Sequence, residues 1–202
     1  FKSKSLTGIM TKLHHAKYRF GFTGTLDGSK THKWVLEGLF GDCEQVTKTD
    51  HLIKEGYLSK FRIKVLLCKH APQHFDTYHD EMEYLTGHRG RNNLIKNLVK
   101  DLEGNTLVLF NYIEKHGEPL YDLINNTIDP ERKLFFVHGG TDVEDREAVR
   151  QITETENNAV ILASYGTFST GINIKRLHNI IFASPSKSRI RNLQSIGRVL
   201  RK

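Results

Sequence analysis

Four short apolar runs punctuate the second half of the chain: Leu107–Phe110, Leu134–Val137, Val160–Ala163 and Ile180–Ala183. Each is almost continuously hydrophobic instead of alternating, the pattern of strands covered on both faces in a parallel sheet between helices. Polar turns and stretches of helical periodicity separate them. Thr141-Asp142-Val143-Glu144 has the form of a capping box ahead of a helix running toward Thr153, and Pro119 sits where a first helical turn accepts proline. From Asn105 onward the alternation predicts a doubly wound α/β unit with right-handed crossovers. Asn111, His138-Gly139-Gly140, Ser164 and Ser184 follow the four runs directly. They therefore fall at the carboxyl ends of the strands, where open α/β sheets bind their ligands.

The first half carries a different pattern. A helix is predicted over Ser3–Leu13, a strand over Tyr18–Thr25, a second helix over about Thr31–Leu39 and a short segment ending at Gly56-Tyr57. Leu58–Leu67 reads as the opening of the second unit, with helices near Phe75–Leu85 and Arg91–Leu102 and a basic turn, Gly87-His88-Arg89-Gly90-Arg91, between them. That turn suits either a phosphate backbone or solvent. One buried strand is too little for an independent domain, and the chain opens on Phe1 straight into a helix-like segment. Residues 1–57 are therefore expected to be the end of a domain that begins upstream, and residues 58–202 a second domain.

Composition narrows the class of protein. Thirty Lys and Arg against twenty-three Asp and Glu give a formal charge of +7, an excess suited to phosphate-rich partners without requiring them. Cys43 and Cys68 form no metal-type pair, which points to a reducing compartment. His70, His74 and His79 lack a spacing that places all three on one helical face, so no metal site is assigned to them. No apolar run approaches the roughly 18 residues that span a bilayer, and no secretion signal opens the chain. A cytoplasmic protein is the expectation.

The last segment concentrates the candidate chemistry. Offsets of four and three put Gln194, Arg198 and Arg201 in one polar stripe of a helix, beside a stripe of Ile190, Leu193, Gly197 and Leu200 that can pack on a core. A mid-helix glycine costs roughly 1 kcal/mol relative to alanine, so Gly197 is expected where the helix backbone approaches a neighbour closely. Two guanidiniums on a rigid helix suit a polyphosphate; a solvated basic face is the competing reading.

With its context, Gln194-x-x-Gly197-Arg198-x-x-Arg201 resembles motif VI of the superfamily-two DNA helicases. Phe22-Thr23-Gly24-Thr25 is similar to motif III, Leu107–Asn111 to motif IV and Ala163–Asn173 to motif V, in the family's order. The Ala-Ser-Tyr-Gly-x-Phe-Ser-Thr-Gly-Ile run at 163–172 and Ile-Gly-Arg-Val-Leu-Arg-Lys at 196–202 are most similar to recombination helicases of tailed phages. The resemblance runs from about Phe20 to Lys202 and implies a RecA-like second lobe preceded by the C-terminal remnant of a first. The family's Gly-Lys-Thr/Ser loop and Asp-Glu-x-His box do not occur in these 202 residues.

The resemblance further implies ATP with Mg²⁺ as cofactor, the Mg²⁺ ligands lying upstream. Arg198, Arg201 and Gln194 are then the catalytic candidates, with Arg201 at the arginine-finger position. Gly171 and Asn173 join the two arginines around the nucleotide, although many relatives carry aspartate where Asn173 stands. A single strand of branched or forked DNA, or of an RNA–DNA hybrid, would lie against Asn111, His138, Gly139, Ser164, Ser169 and Thr170. Thr23, Gly24 and Thr25 would couple the two sites. A duplex translocase that does not separate strands and a non-catalytic nucleic-acid-binding module remain open alternatives.

Overall fold

The computed structural model describes residues 4–24, 26, 29–170, 174 and 176–200, and of Ser169 and Thr170 only the backbone. Four strands, β1 (Thr106–Phe110), β2 (Leu134–Val137), β3 (Val160–Ser164) and β4 (Asn179–Phe182), match the four apolar runs to within a residue or two. All pair in parallel, in the order β2-β3-β1-β4. Nine helices accompany them among the described residues: α1 (Lys4–Lys12), α2 (Lys30–Phe40), α3 (Thr49–Lys54), α4 (Tyr78–Gly87), α5 (Arg89–Asp101), α6 (Glu118–Asn125), α7 (Val143–Thr155), α8 (Tyr165–Thr170) and α9 (Arg189–Val199). A π-helical turn, Ile113–Gly117, leads into α6, where Pro119 occupies the first turn as its missing N–H permits.

Both faces of the sheet are covered, which is why its strands read as continuous apolar runs. Leu107 and Leu109 of β1 point to one face, with Ile161, Ala163, Phe168 and Ile174, and Val149 of α7 and Val199 of α9 close over them. Val108 and Phe110 point to the other, with Val160, Leu162, Ile95 and Val99 of α5 and Leu120 and Ile124 of α6. Each such side chain withdrawn from water contributes about 1.5–3 kcal/mol. The result is the three-layer, RecA-like α/β arrangement expected for this half. Gly117 has a packing reason: a Cβ there would lie 2.7 Å from the Phe110 ring.

The first half departs from expectation. Residues 18–24 form no strand; Tyr18, Phe20 and Phe22 are 69%, 75% and 95% exposed, and among the described residues no backbone runs alongside to accept or donate ladder bonds. Thr25 lies outside the described residues. Residues 58–67 are likewise extended without pairing, anchored where the Ser59 N–H donates to Leu200 O at 2.9 Å. The two helices expected here form as α1 and α2, and the short segment ending at Gly56-Tyr57 contains a third, α3; Leu39 is the one buried hydrophobic among their described residues.

Two local readings also change. Asp142, not Thr141, precedes α7, and its side chain makes no capping bond; the Thr141 hydroxyl instead accepts from the His138 N–H at 3.0 Å and closes the turn after β2. The basic stretch 87–91 is no open turn. His88 alone joins α4 to α5, its Nδ1 accepting the Arg91 N–H at 3.1 Å.

Candidate functional site

The order β2-β3-β1-β4 sets His138, Ser164, Asn111 and Ser184 side by side along the carboxyl rim of the sheet. With neighbouring strands about 4.8 Å apart, the four span roughly 15 Å. Most of their polar groups are committed within the protein. Ser164 is buried, its hydroxyl bonded to the Thr167 hydroxyl at 2.8 Å and accepting the Thr167 N–H at 3.3 Å, which caps α8. Asn111 donates its backbone N–H to Ser184 Oγ and its Nδ2 to Pro185 O, both at 3.0 Å.

The turn after β2 is the more open end of the rim. Gly140 N–H donates to His138 Nδ1 at 3.1 Å, which leaves the proton of the neutral ring on Nε2. Gly139 is exposed, and among the described residues nothing lies within 4 Å of where its Cβ would be. Arg146 braces the turn from behind, donating to Thr141 O at 2.8 Å and Gly139 O at 3.1 Å.

Beneath the β1 and β4 ends runs a buried relay that the sequence pattern did not announce. Ser184 Oγ lies 2.8 Å from His116 Nδ1, His116 Nε2 lies 3.2 Å from Asn92 Oδ1, and Asn92 Nδ2 donates to Thr86 O at 2.8 Å. The Asn92 amide fixes the direction: its nitrogen faces a carbonyl, so its oxygen accepts from Nε2–H, and Nδ1 accepts the Ser184 hydroxyl proton. Burial, and then the nearby Arg91 charge, push the His116 imidazole down to about 4, so it is neutral at physiological pH.

The loop from β4 to α9 is pinned to an unusual degree. Four consecutive carbonyls each accept from a side chain on a different element: Ala183 from Arg91, Ser184 from Tyr165 at 2.9 Å, Pro185 from Asn111 and Ser186 from Asn192 at 3.0 Å. Burial raises the Tyr165 hydroxyl to about 12, so it remains a donor. Arg91 is held below its ordinary value by burial yet stays charged at any physiological pH.

Helix α9 leaves this loop and presents a different face from the one expected. Ser195 and Leu200 are buried and Val199 packs on the core, whereas Leu193 is 42% exposed. The packing stripe is thus Asn192, Ser195, Ile196 and Val199; of the stripe expected, Leu200 is buried and Ile190 partly so, whereas Leu193 and Gly197 are exposed. No described residue lies within 4 Å of a Cβ built on Gly197, so the close approach foreseen for it is not present among them. Beside that stripe, Arg191, Gln194 and Arg198 share a face. Arg191 lies over the Tyr165 ring at 5.8 Å and Arg198 over the Phe168 ring at 5.0 Å, and Gln194 is exposed between them. The arginines thus stand over the first turn of α8, directly after β3. Gly171, Asn173 and Arg201 lie outside the described residues, and Ser169 and Thr170 outside the described side chains. Thr23 and Gly24 lie in the exposed N-terminal segment.

Sequence reasoning missed Arg91, Asn92, His116 and Tyr165 as members of this edge. Two of them carried a signal: Arg91 as the last residue of the basic stretch, and Tyr165 within the run similar to motif V.

Comparison with known proteins agrees with this architecture. Residues 90–202 match the family model described as the helicase conserved C-terminal domain. The chain is 34% identical over 208 residues to the ATP-dependent DNA helicase uvsW of Enterobacteria phage T4, covering 98% of this chain and 40% of that protein. The crystal structure of T4 UvsW superposes with a TM-score of 0.54 at 40% identity, over 63% of this chain and 26% of that one. The C-terminal part of the Fun30 ATPase domain aligns at a TM-score of 0.45 and 19% identity, over 55% of this chain and 36% of that chain. The chain thus spans about two fifths of the curated relative it matches.

Proposed function

Because the chain belongs to the helicase conserved C-terminal domain family, we propose that residues 58–202 form the second RecA-like lobe of an ATP-dependent DNA helicase and residues 1–57 the end of its first. The similarity to the phage uvsW helicase supports DNA as partner. Branched or forked intermediates of recombination, repair and replication, or RNA–DNA hybrids, are the proposed substrates.

The observation that carries this reading is the placement of Arg198 on α9 over Phe168 of α8, at the carboxyl end of β3. A guanidinium positioned by a rigid helix and an aromatic face is pre-organised for charge that develops on a transferring phosphoryl group. The donor set fits ATP: Arg198 with Arg201 would hold the polyphosphate, Gln194 would orient it, and Gly171 and Asn173 would line the nucleotide. Bound ATP supplies the phosphoryl group; this chain supplies positioning and positive charge. Mg²⁺ would be held by the part of the helicase that carries the Gly-Lys-Thr/Ser loop and the Asp-Glu-x-His box.

For the DNA strand, the exposed Gly139 and the half-buried His138 would be the best-placed contacts on the rim, with Ser169 and Thr170 after β3 joining them. Asn111 and Ser164 support the rim from within. Contacts of this kind hold phosphates without reading bases, as movement along arbitrary sequence requires. Thr23, Gly24 and Thr25 would couple strand and nucleotide.

The test is DNA-stimulated ATP hydrolysis in a chain joining these residues to a segment with the Gly-Lys-Thr/Ser loop and the Asp-Glu-x-His box. Arg198→Ala is expected to lower turnover by about 10³ or more while DNA binding is retained. Undiminished turnover rejects the assignment. The 202 residues alone are expected not to hydrolyse ATP. Strand displacement on forked DNA and RNA–DNA hybrids separates a helicase from a duplex translocase.

A further inference from the structure

Between the pinned β4–α9 loop and the N-terminus of α5 lies a cleft of about 280 Å³. Its lining divides in two. Phe182, Pro185 and Ile196 give it an apolar wall, and Arg91, Ser186 and Asn192 give it a polar one; among the described residues no carboxylate lines it. Phe182 is 36% exposed, so part of an aromatic ring is accessible. Arg91 is fixed by carbonyls alone, Leu85 O and Ala183 O, and so retains both its full charge and unused donors.

Among the described residues, the cations Arg191 and Lys187 beside this cleft rest on aromatic rings and not on carboxylates, Arg191 on the Tyr165 ring and Lys187 4.2 Å over the Tyr78 ring. Among the described residues neither they nor Arg189 forms an ion pair. The loop's own groups lean the same way. Carbonyls 183–186 are all tied inward, and the Ser186 and Lys187 N–H groups meet no acceptor among the described residues. Asn192 Oδ1 is a buried acceptor that meets no donor among the described residues.

We propose that this cleft seats one nucleotide unit of a single nucleic-acid strand, with the phosphate between Arg91 and Arg191 and the base against Phe182 and Pro185. Guanidinium beside an accessible aromatic is the combination that holds a strand by backbone charge and stacking together. A free polyphosphate would leave the apolar wall unused, and an apolar ligand would leave the cations unused. Asn192 does not make the seat sequence-specific, because every base carries an N–H on its Watson–Crick edge for a lone acceptor to meet. The proposal rests on the strand-binding reading above and adds to it a contact that none of the motif residues supplies.

The experiment is fluorescence anisotropy of a labelled oligo(dT) strand with the full chain, across a salt series. Arg191→Gln and Lys187→Gln change exposed side chains and are expected to leave thermal unfolding unchanged. Arg191→Gln should weaken binding on the order of three- to tenfold and lower the salt slope by roughly 0.7, the value of one lost phosphate contact on a single strand. Lys187→Gln, at the margin, should act in the same direction but less. Arg91→Lys, which keeps charge but loses the forked geometry, should also weaken binding. Phe182→Ala should lower affinity at unchanged salt slope, because stacking releases no counterions. Arg150→Gln, on α7, is the control and should change nothing. Wild-type slope and affinity in Arg191→Gln and Phe182→Ala overturn the cleft alone. No strand binding by the unmodified chain overturns the underlying reading with it.

Discussion

The two edges of the sheet handle polar groups in opposite ways. At the amino edge, Asn105 is fully buried, its Nδ2 donating to Thr153 O, Glu156 O and Arg176 O at 2.8–3.0 Å while its Oδ1 accepts the Ala159 N–H at 2.8 Å. Arg132 donates to Val99 O, Leu102 O, Gly104 O and Asn158 O, closing the carbonyl end of α5. Gly104 turns there at a φ of +88°, with His178 where a Cβ would sit. At the carboxyl edge, among the described residues, Lys187 and Arg191 rest on aromatic rings without a carboxylate partner, and the buried Asn192 Oδ1 meets no donor. A saturated edge stabilises the fold, whereas groups left over at the other edge remain available to a ligand.

That contrast can be broken by substitution. Asn105→Leu orphans three carbonyls and an amide in the interior and should cost about 4 kcal/mol, read as a fall in the urea midpoint at constant slope. Loss of less than about 1 kcal/mol would mean the amino edge is not the structural one. Arg132→Met should cost about 2–3 kcal/mol in the same assay, since its carbonyls are only partly able to turn to water.

The carboxyl edge is expected to show itself through pH first. The folded His116 lies at about 4 against an ordinary 6.5, so below pH 6.5 the unfolded chain takes up a proton that the folded chain refuses. Its contribution is fully present above about 6.5, falls as the pH drops toward 4 and levels off below. The loss is on the order of 2–3 kcal/mol. Urea midpoints across that window should show the slope in the unmodified chain and lose it in His116→Gln; an unchanged slope would assign it to other groups. Tyr165→Phe removes only the bond to Ser184 O and should cost about 1 kcal/mol in thermal unfolding, while slackening the loop that carries Asn192 and Arg191. Smallest of all, Glu147→Gln breaks an exposed pair with Arg150 and is expected to leave the melting temperature where it was. A marked drop would mean that α7 depends on its surface charges.

How much was legible follows the range of the interactions. The four strands were visible because burial on both faces leaves an unbroken apolar run, and α2, α5 and α7 because helical apolar spacing is local. Tyr18–Thr25 has the composition of a strand, but pairing is a property of neighbouring backbones, and among the described residues no strand lies beside residues 18–24. Gln194 and Arg198 were placed on one helical face by spacing alone. Which face of that helix met the core was misjudged, because Ser195 and Asn192 are polar yet packed, and Leu193 is apolar yet exposed.

By itself the sequence determined a parallel α/β sheet, a rim of polar strand ends and a terminal helix bearing arginines, since each depends on periodicities of a few residues. Only the tertiary structure decided which polar groups are free to act. Ser164 and Asn111 are bound within the fold, while Arg91, His116 and Asn92 arrive at the rim from helices up to 92 residues away from their partners. Hydrogen bonding saturates groups according to distance in space, and that distance is not written in the spacing of residues along the chain.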